Sequence, residues 1–318
     1  MTSPTDWNTL TIPDYAERVM HSGHLSRLLE LARDEDLGPS GRPGDITTLT
    51  CSGPDSHSVQ ATLRSRQPGT AAGLSFIQLV CERFAPGKCR WTPASADGQP
   101  FDRTDALGHL TGPHQAILVI ERTLLNLVSR LSGIATLTST YIDAIRSAGA
   151  DPDRVHLLDT RKTTPGHRLL EKYAVRCGGG YSHRIGLYDA ILIKDNHIAM
   201  APGGLTEILD RLQQARDTHT PSFIEIEVDT QDQLQTVLKA EQKTPGLIDI
   251  ILLDNMNPDQ LTAAVRARND LAPRILLEAS GGITLETIGP IAQTGIDRIS
   301  TGAITHQARS VDLGLDAG

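Results

Sequence analysis

The sequence lacks several features that would place it in a broad class at once. No apolar stretch approaches the ~18 residues needed to span a bilayer. The first ten residues, MTSPTDWNTL, do not have the basic start and apolar run of a signal peptide. Basic residues are not in excess either, because 30 Lys and Arg stand against 38 Asp and Glu, a formal net charge of −8. This balance argues against a nucleic-acid scaffold or a membrane-surface protein, but it is compatible with a local basic pocket.

Cysteine is also scarce, with four residues in the chain. They form no CxxC pair and no zinc-ligand spacing, which predicts reduced thiols in a cytoplasmic protein. Several catalytic and nucleotide-binding motifs are missing as well. The chain has no GxSxG, no HExxH and no GxxxxGK[ST], and no GxGxxG follows a first strand.

The length of 318 residues suggests two domains. In the first part, SVQATLRSR alternates apolar and polar residues, and QAILVIER is a compact apolar run, so both are predicted strands of an α+β region. The following segment, TLLNLVSRLSGIATLTSTYIDAIRSAG, predicts one or two long helices. Its apolar residues fall on one helical face, namely Leu124, Leu125, Val128, Leu131 and Ile134.

The second half repeats a different pattern, in which a compact apolar run ends in polar residues and a helix-compatible segment follows. The residues that end these runs are Asp159, Lys194, Glu227, Asp254, Glu278 and Ser300. Such a βα repeat predicts a parallel sheet buried on both faces. About six or seven units are present, fewer than the eight of a complete barrel. We therefore predict an incomplete parallel α/β barrel, with an open doubly wound sheet as the alternative.

Active sites of parallel α/β folds form at the carboxyl ends of the strands. The residues at these predicted ends include cations, two carboxylates and two glycine-containing turns: Arg161, Lys162, Lys194, Glu227, Asp254, Ser280-Gly281-Gly282 and Thr301-Gly302-Ala303. This collection suits an anionic substrate that carries phosphates, together with a divalent metal.

Each residue type suggests a role. The planar forks of Arg161 and Arg184 could bind a dicarboxylate bidentately, whereas Lys162 and Lys194 are point charges suited to phosphates. The alternative is a solvated charge run. The two glycine-containing turns each follow a strand, and their backbone N–H groups are expected to bind one phosphate group.

Acidic residues accompany these cations. Glu225 and Glu227 are two apart on one strand and therefore share a face. Two acids on a buried strand are unfavourable unless they are paired or bind a metal. We predict that Glu227 and Asp254 bind Mg²⁺ together with substrate phosphates. The alternative is salt bridging of these acids to Lys162 and Lys194.

One long segment, TRKTTPGHRLLEKYAVRCGGGYSHRIGLYDAILIKDNHI, closely resembles the signature segment of the quinolinate phosphoribosyltransferase family. The likeness covers most of the chain. EDLG, GDITT, ERTLLNLVSRLSGIAT, IEIEVDT, LLDNM, LEASGGI, STGAITH and the closing DLGLD match the family in the same order.

The resemblance implies an N-terminal α/β sandwich followed by an incomplete, six- to seven-stranded parallel α/β barrel. The corresponding boundaries are 1–130 for the N-terminal domain with the start of the linking helix, 131–305 for the barrel, and 306–318 for a tail that returns to the N-terminal domain. It also implies a homodimer, or a higher even oligomer, with shared active sites. Neither nucleic acid nor membrane is an expected partner.

The implied reaction converts quinolinate and phosphoribosyl pyrophosphate to nicotinate mononucleotide, pyrophosphate and CO₂ with Mg²⁺, a step of NAD biosynthesis. By resemblance, Lys162, Lys194, Glu227 and Asp254 are catalytic, and Glu227 and Asp254 bind the metal. The implied substrate-binding residues are Arg122, Thr160, Arg161, His183, Arg184, Ser280, Gly281, Gly282, Thr301, Gly302 and Ala303. Arg122 is expected to precede the long helix and to enter the neighbouring subunit's site.

One position departs from the family, which usually has asparagine before the His–Arg pair, where this sequence has Ser182. The departure affects the shape of the pyridine pocket. It leaves open phosphoribosyl transfer to a modified pyridine carboxylate. A further alternative is a non-catalytic, anion-binding relative of the molybdenum-associated type, but the presence of Arg122, Arg161 and Arg184 argues against it.

Overall fold

The computed structural model describes residues 6–39, 44–51 and 57–317. Residues 1–5, 40–43 and 52–56 of the predicted N-terminal domain and residue 318 of the predicted tail lie outside the described residues. The chain forms two compact units that are interleaved in sequence. One, here called the barrel unit, comprises Met1–Asn8, Thr140–Lys162 and Gly180–Ala303. The other, here called the sheet unit, comprises Thr9–Ser139, Thr163–Gly179 and Ile304–Gly318.

The sheet unit contains a four-stranded antiparallel sheet and a two-stranded one. Its strands are β1 (Ser58–Ser65), β2 (Gly69–Thr70), β3 (Arg90–Pro93), β4 (Pro100–Phe101), β5 (Ala106–Pro113) and β12 (Leu313–Ala317). The larger sheet has the order β12-β1-β5-β3, and β2 pairs with β4. The predicted alternation in β1 buries Ala61, Leu63 and Ser65 on one face. The C-terminal strand β12 lies antiparallel beside β1.

Helices of the sheet unit pack through aromatic and aliphatic side chains. They are α1 (Ile12–His21), α2 (His24–Leu37), α3 (Ile46–Cys51), α4 (Ile77–Phe84), most of α5 (His114–Ser147), and α6 (Arg168–Cys177). The ring of Tyr173 in α6 lies against Tyr15 and Phe76, and its hydroxyl donates to Asp97 at 2.6 Å. Burial therefore ties a segment from the middle of the chain to the N-terminal helices.

Helix α5 corrects two expectations. The run QAILVIER lies inside this 34-residue helix and is not a strand. Its buried residues, Ala116, Ile117 and Ile120, have helical spacing, which a short apolar run does not distinguish from a strand. Arg122 accordingly lies within the helix instead of preceding it. The predicted apolar face from Leu124 to Ile134 is confirmed as buried.

The barrel unit is built on six parallel strands. These are β6 (His156–Leu158), β7 (Ile191–Ile193), β8 (Ile224–Val228), β9 (Ile250–Asp254), β10 (Leu276–Ser280) and β11 (Arg298–Ser300). Their order is β6-β11-β10-β9-β8-β7, so the last strand pairs with the first. This circular order is that of a barrel open between β6 and β7, and it confirms the predicted incomplete barrel. Tyr181 makes one parallel bridge to Leu158 beside the opening.

Helices follow most strands of the barrel unit. They are α7 (Asp195–Met200), α8 (Gly204–His219), α9 (Gln231–Lys243), α10 (Pro258–Leu271), α11 (Leu285–Ala292) and α12 (Ala303–His306). Capping boxes begin α9 at Thr230 and α10 at Asn257, where the side chain satisfies a free N–H of the first turn. These caps define where each strand-to-helix loop ends.

Aspartates brace the amino ends of two barrel strands. Asp249 accepts from the backbone N–H of Ile224 and from Arg216, both at 2.7 Å. Asp297 in the same way accepts from Leu277 N–H at 2.8 Å and from Arg268 at 2.7 Å. Each brace joins a helix to two strands at the end of the barrel opposite the predicted site.

No helix among the described residues is long and apolar enough to cross a membrane. Each compact unit is made of three separate segments of the chain, whereas the prediction had only two boundaries, at 130 and 305. Those boundaries stay a prediction about separately folding domains.

Candidate active site

Lys194 and Glu227 meet at the carboxyl ends of β7 and β8. Lys194 Nζ lies 2.9 Å from Glu227 Oε2. The lysine is about half exposed, whereas the glutamate is nearly buried. The salt bridge that was the alternative to metal binding is therefore formed for Glu227. It also holds the Lys194 ammonium at the rim of the barrel.

Three acids cluster at this rim. Carboxylate oxygens of Glu227, Asp229 and Asp254 lie within 4.8 Å of one another. Burial and the neighbouring charges of Glu227 and Asp229 raise the pKa of Asp254. Sequence reasoning missed Asp229, although it follows β8 directly and is two residues from Glu227. Such a gathering of like charges favours a bound cation.

A second cluster lies buried inside the barrel. His183 Nε2 is 3.0 Å from Glu225 Oε2 and 3.3 Å from Glu278 Oε1. The other oxygen of Glu278 accepts from Arg298 Nε at 2.7 Å. The four groups therefore form a compact network of two acids and two bases. The sequence singled out Glu225 and Glu278 separately and gave no role to Arg298.

The network shifts the titration of its members. Burial alone lowers the pKa of His183, but Glu225 and Glu278 outweigh this effect and raise it to about 9. Burial and then the Glu278 charge raise the pKa of Glu225. Burial opposes ionisation of Glu278, yet His183 and Arg298 hold its pKa well below the usual range.

Arg161 and Arg184 lie close enough for their charges to interact, and the charges of Glu225 and Asp189 partly offset the repulsion at Arg184. Burial and then the Arg161 charge lower the pKa of Arg184. Its Nη1 donates to the backbone carbonyl of Ala190 at 3.3 Å. Within the described part of the chain, neither guanidinium forms an ion pair with a carboxylate. Two adjacent arginines of this kind are suited to a dianion.

A cavity of about 570 Å³ opens beside Arg184. This volume is in the ordinary range for small-molecule pockets. Its walls comprise Asp6, Trp7, Asn8, Ser182, His183, Arg184, Ile185, Asp189, Arg216, Thr220, Pro221, Ser222, Phe223 and Arg298. Several of these residues precede strands, so the cavity lies toward the amino ends of β7 and β8, beneath the acid cluster.

The turn after β10 is tightly packed. Gly281 has φ +85°, and a Cβ there would collide with the Asn255 side chain and lie 2.9 Å from its backbone nitrogen. The Asn255 N–H in turn donates to Ser280 O at 2.9 Å. Gly282 also has positive φ, but space is open around it. Only glycine fits at position 281. Packing of the turn by itself therefore explains this glycine of the Ser280-Gly281-Gly282 motif, whether or not the turn binds a phosphate.

The turn after β11 is held by Thr301. Its hydroxyl donates to Ile283 O at 3.3 Å and accepts from Ala303 N–H at 3.2 Å. Ser300 donates to Ser280 Oγ at 3.2 Å and so links the two turns. The structure therefore places Ser280–Gly282 and Thr301–Ala303 side by side, as their order in the sheet requires.

The remaining predicted residues fall into two groups. Thr160, Arg161 and Lys162 follow β6, where Thr160 Oγ1 accepts from Lys162 N–H at 3.0 Å. Arg161 and Lys162 are exposed. Arg122 is an exposed residue of α5 in the sheet unit. All predicted site residues except Arg122 thus belong to the barrel unit.

The fold and these clusters define an α/β-barrel protein with a site for an anionic substrate at its strand ends. Comparison with known proteins gives its family. Residues 45–132 match the family profile described as quinolinate phosphoribosyl transferase, N-terminal domain, and residues 134–316 match the C-terminal domain. The chain belongs to the quinolinate phosphoribosyltransferase family, and the predicted family is confirmed.

Individual relatives agree over nearly the whole length. The probable nicotinate-nucleotide pyrophosphorylase (carboxylating) of Bacillus subtilis is 40% identical over 300 residues, covering 93% of this chain and 94% of the relative. The corresponding Mycobacterium leprae protein is 40% identical over 273 residues, covering 86% and 90%. The solved nicotinate-nucleotide pyrophosphorylase of Francisella tularensis is 33% identical, covers 99% of this chain and 100% of its own, and has a TM-score of 0.82.

Proposed function

We propose that this protein transfers phosphoribose from phosphoribosyl pyrophosphate to quinolinate with decarboxylation. The products are nicotinate mononucleotide, pyrophosphate and CO₂. The observation that carries the proposal is a pair of arginines, Arg161 and Arg184, whose charges act on each other and which form no ion pair with a carboxylate among the described residues of this family's barrel. Quinolinate is a dianion with two neighbouring carboxylates, which matches two guanidinium forks.

Arg161 and Arg184 are assigned to the two carboxylates. His183 enters the site through the family resemblance. Its ring nitrogens already have partners here, because Nδ1 accepts from Arg184 N–H at 2.7 Å and Nε2 faces Glu225 and Glu278. The role that this geometry supports for His183 is to hold the backbone of Arg184. Thr160 is assigned to the same end of the substrate.

Lys162, Lys194, Glu227 and Asp254 are assigned to the ribose and pyrophosphate. Cleavage of the C1′–pyrophosphate bond develops a cationic sugar and an anionic leaving group. Carboxylates stabilise the sugar and lysines the leaving group. The pyridine nitrogen bonds to C1′ as pyrophosphate leaves. The resulting pyridinium stabilises the electron pair left on C2 when the adjacent carboxylate departs as CO₂, and C2 then takes one proton from solvent. No other proton transfer is required, so the protein acts by positioning and electrostatics.

The acid cluster fits a magnesium ion. Its oxygens are within 4.8 Å of one another, and burial followed by the charges of Glu227 and Asp229 already raises the pKa of Asp254. Glu227 and Asp254, joined by Asp229, are the residues that would hold the ion, and phosphates would complete its shell. Bound Mg²⁺ supplies positive charge for the pyrophosphate oxygens.

The two turns, Ser280–Gly282 and Thr301–Ala303, are assigned to the 5′-phosphate. This assignment is supported by the proximity of the two turns, which lie side by side at the carboxyl ends of β10 and β11. Backbone N–H groups at such turns favour an anion.

The assembly is proposed to be a homodimer or a higher even oligomer with shared sites, in which Arg122 completes the neighbouring subunit's site. Arg122 is exposed on α5 one turn after Leu118, an apolar side chain that is half exposed. The cytoplasm is the proposed compartment, supported by four free cysteines.

The decisive assay uses quinolinate labelled in its 2-carboxyl group. Purified protein with phosphoribosyl pyrophosphate and Mg²⁺ should release labelled CO₂ and form an equal amount of nicotinate mononucleotide. Excess chelator should stop both, and added Mg²⁺ should restore them. Nicotinate in place of quinolinate should give no product. Higher kcat/KM with a substituted quinolinate would favour the modified-pyridine alternative, and binding without turnover would favour the non-catalytic one.

A further inference from the structure

The segment Ser182–Gly186, which carries Arg184, is held almost entirely by side chains. It runs beside the opening between β6 and β7, where the hydrogen-bonded ladder is interrupted. Five consecutive backbone N–H groups donate to side-chain acceptors at 2.7–2.9 Å: Ser182 to Asn8, His183 to Asp159, Arg184 to His183, Ile185 to Asp189 and Gly186 to Asp189. The position of Arg184 therefore depends on local acceptors and on two residues that are distant in sequence, Asn8 and Asp159.

Asn8 contributes more to this segment than one bond. Its Oδ1 accepts from Ser182 N–H at 2.7 Å, and its Nδ2 donates to Ser182 O at 2.9 Å. The side-chain amide thus presents the same donor and acceptor as the backbone of a neighbouring strand would. Ser182 is only 5% exposed, so water does not readily replace either bond.

Asn8 also lines the cavity that lies toward the amino ends of β7 and β8, so its link to the proposed site is the backbone of Ser182 and not this cavity. Asn8 lies in a short 3₁₀ turn, Trp7–Thr9, and all three of Asp6, Trp7 and Asn8 line that cavity. Both family profiles begin after this turn, because the matched residues start at 45. The family profiles therefore do not cover this turn, whereas its hydrogen bonds to Ser182 indicate a role for it.

We propose that Asn8 is a positioning residue for the quinolinate dianion. Its amide fixes the backbone of Ser182, and the adjoining residues carry the Arg184 guanidinium to its place beside Arg161. If the hydrogen bonds around Arg184 are weakened, repulsion moves the two guanidinium groups apart. A shift of about 1 Å is enough to weaken a bidentate contact with a carboxylate. The N-terminal turn then contributes to substrate affinity without touching the reacting atoms. This inference rests on the proposed function.

The test compares Asn8→Ala with Thr11→Ala. Thr11 is a nearby residue that caps α1, with its hydroxyl bonded to Asp14 at 2.6 Å. In Asn8→Ala, the KM and the calorimetric Kd for quinolinate should rise by roughly tenfold, while kcat and the KM for phosphoribosyl pyrophosphate stay within about twofold. Thr11→Ala should lower the Tm and leave all four constants near the wild-type values.

Hydrogen exchange supplies a readout that does not depend on turnover. Amide exchange across Ser182–Gly186 should accelerate in Asn8→Ala and not in Thr11→Ala. Wild-type exchange together with an unchanged quinolinate Kd in Asn8→Ala would overturn the inference. Equal losses in both variants would also overturn it, because they would show general loosening. A wild-type protein that neither binds nor converts quinolinate contradicts the proposed function itself, and the substrate role of Asn8 with it.

Discussion

Two arginines with the same charge lie close together only when other interactions compensate for their repulsion. Here the backbone around Arg184 is fixed by Asp159, His183 and Asp189, while Arg161 extends from the end of β6. The fold therefore keeps two like charges near each other, and under the proposed function a dianionic substrate would relieve their repulsion. This is electrostatic preorganisation at the level of single side chains.

Replacement of either arginine by lysine keeps the charge but removes the planar fork. In Arg161→Lys and Arg184→Lys, the KM for quinolinate should rise about tenfold or more, equivalent to about 1.4 kcal/mol. The KM for phosphoribosyl pyrophosphate should change little. Arg146→Lys serves as the control, because Arg146 pairs with Asp143 on an exposed face of α5. Wild-type quinolinate kinetics in both site variants would refute the assignment.

His183 and Glu225 act as a coupled pair with one extra proton in the folded protein. The ring pKa is raised to about 9 from an ordinary 6.5, and the pKa of Glu225 is raised as well. Since Nδ1 accepts from Arg184 N–H, the ring carries its own proton on Nε2, and the extra proton of the pair belongs on Glu225, whose Oε2 lies 3.0 Å away. The location of this proton on either group does not alter the charge of the pair.

This pair makes stability depend on pH. The unfolded histidine loses its proton near pH 6.5, whereas the folded pair keeps it until about pH 9. The contribution is complete below pH 6.5 and is lost as pH rises to 9, with a slope of at most about 1.4 kcal/mol per pH unit. Urea unfolding at pH 7, 8 and 9 should show this decline, and Glu225→Gln should reduce it.

Glu241→Gln provides the control for that series. Glu241 is a buried glutamate that accepts from the backbone N–H groups of Gly246, Leu247 and Ile248. Its replacement should lower stability without altering the slope between pH 7 and 9. An identical slope in Glu225→Gln and wild type would show that the pair does not hold the extra proton.

At the scale of elements, the turns after β9 and β10 are interlocked. Asn255 adopts a positive φ of 54°, and its backbone N–H bonds to Ser280 O. Gly281 then passes over Asn255 with no room for a side chain. The position of Ser280–Gly282, the turn proposed to bind phosphate, thus depends on the loop that follows Asp254.

Gly281→Ala tests this interlock against Gly246→Ala. Both glycines have φ near +87°, but nothing lies within 4 Å of the Cβ position at Gly246. In Gly246→Ala, the free energy of unfolding should fall only by the cost of the backbone conformation, about 1–2 kcal/mol. In Gly281→Ala, overpacking should lower the free energy of unfolding by about 1–3 kcal/mol more. The KM of this variant for phosphoribosyl pyrophosphate should also rise. Equal unfolding free energies for the two variants would contradict the interlock.

At the scale of the whole molecule, the proposal is that Arg122 completes the site of a neighbouring subunit. Arg122 lies on α5 in the sheet unit, whereas the other proposed residues lie in the barrel unit. A symmetric dimer would allow each subunit to supply this arginine to the other.

A mixing experiment tests the shared site. Arg122→Ala and Lys162→Ala proteins should each be inactive, but joint refolding in equal amounts should restore about a quarter of wild-type activity. About half of the dimers are mixed, and each mixed dimer has one intact site of two. If Arg122 acts within its own chain, every site lacks one residue, and confirmed heterodimers stay inactive.

The sequence alone was sufficient for elements whose signal is local. The repeated apolar runs predicted all six barrel strands, because strands buried on both faces read as continuous apolar segments. The residues after those runs predicted the rim, where Lys194, Glu227 and Asp254 are indeed gathered. The same local signal failed for QAILVIER, because a short apolar run fits a buried helix as well as a strand.

Tertiary structure decided what joins residues that are distant in sequence. The contact of Asn8 with Ser182 spans 174 positions, and the network around His183 unites β8, β10 and β11 with the segment beside the barrel opening. Neither Asn8 nor Arg298 has a recognisable motif around it. Their roles follow from which groups face each other inside the closed order of the strands, and from the need of every buried polar group for a partner. Sequence determined which strands form and where their polar ends fall, but only the three-dimensional packing determined which of those polar groups meet.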